Sequence, residues 1–121
     1  MRMMGRFTAI FFVMVAVPTG AMPPQEPPLT VEVRHYARSL QPGEVVRVTA
    51  TFSRPVSAVR ADAFGSVVPF QPTSDQRIWS GLVGIDLDVE IGEHLVSILG
   101  TSPDGTTART GHPLAVIFKE F

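Results

Sequence analysis

The 121-residue chain contains no cysteine. An exported protein of this sequence would gain no disulfide bracing, and no thiolate could complete a zinc site. Helical periodicity, internal repeats and blocks of like charge are also missing. No serine sits in a G-x-S-x-G elbow, and neither phosphate-binding glycine motif occurs. The three histidines, His35, His94 and His112, stand far apart in sequence with no H-x-H or H-E-x-x-H spacing. Each is expected on the surface or in a turn. Together these absences leave no catalytic constellation. The chain is expected not to be an enzyme, with no catalytic, cofactor-binding or metal-ligating residue and no cofactor.

What is present begins with an address. Met1 to Arg6 carries two arginines and no acid, and the apolar run "FTAIFFVMVAV" follows from Phe7 to Val17. Pro18, Thr19, Gly20 and Ala21 then supply the small residues of a cleavage site. This is the three-part layout of a secretory signal peptide, residues 1–21. The apolar run is short of the roughly 20 residues that span a bilayer, although retention as an uncleaved anchor stays open. Removing Arg2 and Arg6 leaves eight basic residues against eleven acids, a net charge near −3. A weakly acidic domain has no electrostatic case for nucleic acid. The absence of disulfides leans towards a bacterial envelope protein, in the periplasm or outside the cell.

"MPPQEPPLT", residues 22–30, holds four prolines in nine residues. Fixed φ and missing N–H donors make it an extended linker; a proline-rich ligand for a partner domain is the alternative. From there to Phe121 (the domain assigned to residues 31–121) the pattern has period two. In "VVRVTATF", Val46, Val48, Ala50 and Phe52 share one face and Arg47, Thr49 and Thr51 the other, which describes a half-buried strand. "QPGE" before it is a turn. "PVSAVRADAFG", "SVVPFQP", "RIWSGLVGIDLDV", "HLVSILG" and "TTARTGHPLAVIFKEF" are further strand candidates. Pro69 marks an edge strand, since it gives the ladder no donor. Asp104-Gly105 between two apolar runs predicts a hairpin. Six or seven short strands with turns between them define an all-β antiparallel sandwich. Trp79 is its expected core anchor, with an exposed sugar-stacking platform as the other reading.

One stretch invites a chemical reading. "LVGIDLDVEIGEH", residues 82–94, carries Asp86, Asp88, Glu90 and Glu93. Continued alternation puts Ile85, Leu87, Val89 and Ile91 on a buried face and the first three acids on a wet one. Gly81 and Gly84 predict a bulge or bend, and Ile91-Gly92-Glu93 a turn. A calcium ion would need about 6–8 oxygen ligands, and only Asp86, Asp88 and the distant Asp104 offer themselves, without a twelve-residue calcium loop. General acid–base work would require a dry pocket that a solvated face cannot supply. On this face assignment Leu87→Asp should unfold the domain and Asp86→Ala should be nearly silent.

The order of these motifs carries a resemblance. "ARSLQPGEVVRV", a lone tryptophan in "RIWSGLVGIDLD", then a glycine turn and a strand, resembles the N-terminal Ig-like β-sandwich module of bacterial lysostaphin-type (LytM-like) zinc metallopeptidases. The likeness covers about Leu40 to Phe121, and its most specific element is "LVGIDLD". It departs where the family has a Pro-Gly-x-Tyr turn and this chain has Ile91-Gly92-Glu93-His94. The family's zinc ligands, H-x-x-x-D and H-x-H, have no counterpart in this chain, so no catalytic residue carries over. The resemblance implies a non-catalytic accessory module, truncated, fragmentary or free-standing, that positions or occludes a peptidoglycan-cleaving peptidase domain. Its partners would be that domain, peptidoglycan or an envelope protein. An independent exported binding or adhesion domain is the alternative.

Overall fold

The computed structural model describes residues 27–118. The expected signal peptide and residues 22–26 of the expected linker lie outside them. Eight strands run in chain order: β1 Val31–Tyr36, β2 Val45–Phe52, β3 Ala58–Ala63, β4 Ser66–Val68, β5 Phe70–Pro72, β6 Ile78–Gly84, β7 Gly92–Thr101 and β8 Thr107–Val116. They form two four-stranded antiparallel sheets, ordered β1-β2-β6-β5 and β4-β3-β7-β8. The described residues thus form an all-β sandwich without a helix.

Alternation places the core where the sequence puts it along β2. Val46, Val48, Ala50 and Phe52 are all buried, and so are Val96 and Ile98 of β7 and Leu114 and Val116 of β8. Period two sends these side chains to the inner faces of both sheets, where they interdigitate. Trp79 joins them at 7% exposure, with its indole N–H donating to the Gln76 carbonyl at 2.8 Å. That hydrogen bond satisfies the one polar atom of the side chain. Leu29, which falls in the expected linker, is buried in the same core.

Two strands go beyond the six candidates: β1, which no candidate covers, and one that comes from a division at Pro69. "SVVPFQP" is not one strand: β4 pairs with β3 in the second sheet, β5 pairs with β6 in the first, and the chain crosses between sheets at Pro69. Proline has no N–H for a ladder, so the crossing falls where the fewest hydrogen bonds are lost. Both halves are edge strands. The hairpin at Asp104-Gly105 forms as expected. Gly105 takes φ +88°, its N–H donates to the Ser102 carbonyl, and the Ser102 N–H reaches the Thr106 carbonyl.

The strand from Arg77 stops earlier than alternation predicts. β6 ends at Gly84, and residues 85–91 are a loop containing a turn closed by the Val89 N–H on the Asp86 carbonyl. Ile85 remains in the core at 2% exposure and Val89 packs against it. Leu87 and Ile91 do not: they are 72% and 54% exposed. The cause is the end of pairing. The β2 ladder finishes at Val45↔Gly84 and the β5 ladder at Phe70↔Gly81; Ile85 is still held by the Gly43–Glu44 turn, and beyond it no ladder partner keeps the chain to a pleat. Gly92 and Glu93, expected in a turn, open β7 instead. No bulge forms at Gly81, where register runs unbroken. A Cβ there would lie 2.5 Å from the Phe70 ring and 2.9 Å from the Pro69 carbonyl, so the glycine serves close packing at the crossing.

Candidate functional site

The acids are not gathered. Asp86, Asp88 and Glu90 are exposed in the loop before β7, whereas Asp104 lies in the turn after it. Ten strand residues separate the two ends, about 30 Å, so no ion could meet all three of Asp86, Asp88 and Asp104. Among the described residues no cluster of three or more His, Asp or Glu is placed to hold a metal. Asp104 instead has a local task. Its carboxylate accepts from the Ser102 hydroxyl and from the Thr106 N–H at 3.0 Å, with the Arg54 guanidinium 3.8 Å away. These donors, the Ser102 hydroxyl foremost, hold its pKa at about 2.

A folded-state pKa below the ordinary value near 4 means that the unfolded chain takes up that proton first. The contribution is therefore present above about pH 4 and is lost as pH falls towards 2. We expect Asp104→Asn to flatten the acid limb of stability between those values while leaving its shape near neutrality unchanged. Urea melts at stepped pH would show it, and an unaltered acid limb would mean that other carboxylates carry it.

Sequence spacing gives no hint of what happens to two histidines. His35 on β1 and His112 on β8, 77 positions apart, meet with Nδ1 and Nε2 separated by 2.6 Å. β1 is the outer strand of one sheet and β8 of the other, so the pair spans the seam between sheets. Partial burial, then the neighbouring His35, hold the His112 imidazole below its ordinary pKa. His94 stays apart from them. Its ring lies against Phe64 and its Nε2 donates to the Glu90 carbonyl.

A second feature lies on the outer face of the β1-β2-β6 sheet. Tyr36 is paired with Arg47, and Arg47 with Leu82, making one row across three strands. Outward alternation exposes Tyr36 at 77%, Leu82 at 62% and neighbouring Val45 at 56%. Two shallow depressions meet there, sharing Arg47 and Leu82. Arg38 borders one of them, its guanidinium 2.7 Å from Glu44. The row adjoins a junction: the Gly43 N–H donates to the Ile85 carbonyl at 2.6 Å, and the Ile85 N–H to the Glu44 carbonyl at 2.9 Å. Thus "QPGE" and "LVGIDLD", distant in sequence, are stitched together.

No family model matches this chain, and no curated protein matches it.

Proposed function

We propose that this chain is an exported, non-catalytic Ig-like module that docks on a protein partner through the Tyr36–Val45–Arg47–Leu82 face. The partner in view is the peptidase domain of a peptidoglycan-cleaving zinc enzyme. The strand orders β1-β2-β6-β5 and β4-β3-β7-β8 correspond to the A-B-E-D and C′-C-F-G sheets of an Ig-type sandwich. That supports the fold half of the reading. The partner half rests on the resemblance and on one observation that carries it. The two stretches bearing the resemblance are hydrogen-bonded to each other, and they present Val45 and Leu82 outward beside Tyr36 and Arg47. A tyrosine and an arginine set among exposed aliphatics are the composition of interface centres.

Export and an envelope location belong to this proposal through the sequence of residues 1–21. The alternative, an adhesion domain recruiting a strand near Pro69, has less to offer geometrically. β4 and β5 are three residues each, and Pro72 removes another donor from the β5 edge. Short, proline-bearing edges resist strand addition.

Two measurements test the proposal. The coding sequence of the locus is expected to provide, on the same or a neighbouring reading frame, an H-x-x-x-D and H-x-H peptidase domain. The protein should bind that domain, and the double variant Tyr36→Ala, Leu82→Asp should weaken binding by about 30-fold or more at unchanged melting temperature. Equal affinity of variant and parent would remove the face from the proposal. A locus without such a domain would remove the peptidase.

A further inference from the structure

The seam between the sheets contains an arrangement that the docking proposal does not use. We propose that His35 and His112 form a binding site for a borderline first-row divalent ion, Cu²⁺ or Zn²⁺, that clips the two sheets together. Their ring nitrogens lie 2.6 Å apart, with ring centroids at 4.9 Å and planes tilted by 60°. An N–H···N hydrogen bond satisfies such a pair only when one ring donates and the other accepts, and ordinary hydrogen bonds to nitrogen donors settle near 2.9–3.0 Å. A metal ion takes a lone pair from each ring at about 2.0–2.1 Å. At a tetrahedral angle the nitrogens would then stand about 3.3 Å apart, so they need to separate by about 0.7 Å. β1 has a ladder partner on one side alone, β2, so no second strand opposes that shift.

The surroundings define which ion. Two residues along β1 stands Val33, and two residues along β8 in either direction stand Thr110 and Leu114, so the same strand faces supply no carboxylate. Glu32 on β1 is paired with Arg34. With no group of three ligands among the described residues, water completes the coordination. A site of two imidazoles favours Cu²⁺, Ni²⁺ and Zn²⁺, with Cu²⁺ the tightest, and disfavours Ca²⁺ and Mg²⁺. The two ligands are 77 residues apart, and clips that close long loops restrict the unfolded chain most. In a chain without cysteine, such an ion would take the part a disulfide plays elsewhere.

The test uses full-length protein without a purification tag, stripped with EDTA, in thermal melts with 100 µM Cu²⁺, Zn²⁺ or Ca²⁺. A micromolar site should raise the melting temperature by about 5 °C or more with Cu²⁺, less with Zn²⁺ and not at all with Ca²⁺. His35→Ala and His112→Ala should each abolish the rise, while His94→Ala should keep it. Competition against a chromogenic chelator should return one ion per parent chain and none per variant, a readout independent of melting. The proposal is overturned if neither Cu²⁺ nor Zn²⁺ binds at these concentrations, or if either ion binds equally to the His35→Ala protein.

Discussion

Ile85→Asp is expected to abolish folding, whereas Leu87→Asp, two positions further along the same alternating stretch, should change stability by no more than about 0.5 kcal/mol. The contrast follows from where pairing ends. Ile85 is 2% exposed, and both its backbone groups are tied to the Gly43–Glu44 turn. Its side chain closes the core just past the last residue of β6. An aspartate there must either ionise in an apolar site or take a proton at neutral pH, and neither route comes without several kcal/mol. The loss of the aliphatic side chain adds about 2–5 kcal/mol more. A single small domain has about 5–15 kcal/mol to lose. Leu87 is 72% exposed, so a carboxylate at that position stays in water. Circular dichroism and urea melts of the two variants decide the matter. Unfolding by Leu87→Asp would restore a continuous strand through residue 91.

How much of this was legible in the sequence depended on whether a pattern had a neighbour. Alternation along Val45–Phe52 corresponds to burial because β1 and β6 flank that strand along most of its length. The alternation from Ile85 to Ile91 looks equally regular, yet it carries no information once both flanking ladders have stopped. Nothing in "DLDVE" marks that point; the partner strands do. Pro69 was readable as a break in hydrogen bonding, but whether the chain continues in one sheet or crosses to the other depends on which edge is free. The meeting of His35 and His112 was hidden for a related reason. It needs the edges of both sheets to be known, and each histidine alone reads as a surface residue. The Tyr36–Arg47–Leu82 row likewise exists only after two registers are fixed. The negative reading of the acids was the more accessible part. The wet strand face on which that reading rested does not form, since Asp86, Asp88 and Glu90 lie in a loop; what separates Asp88 from Asp104 is the length of β7.

Gly100→Ala should lower stability by about 3 kcal/mol, and Gly100→Val should prevent folding. Gly100 lies in β7 between Val59 and Ala108 on the flanking strands. Its φ is not in the left-handed region, so alanine could adopt its backbone without strain. Space forbids the change. A Cβ built there would run into the ring of Phe52, which crosses from the opposite sheet and is itself 2% exposed. Neither partner can yield easily, because the ring is enclosed by core and the β7 backbone is paired on both sides. The side chain and the missing side chain are thus one packing unit joining the two sheets. Phe52→Leu alone should also destabilise, by leaving a void. Combined with Gly100→Ala, however, the smaller leucine makes room for the new methyl group. The double variant should therefore be more stable than the sum of single effects predicts, by about 1 kcal/mol or more. A double-mutant cycle from urea melts measures that term directly. Additivity within about 0.3 kcal/mol would show that the ring does not rest on Gly100, and that the contact between the sheets at this point is made by other residues.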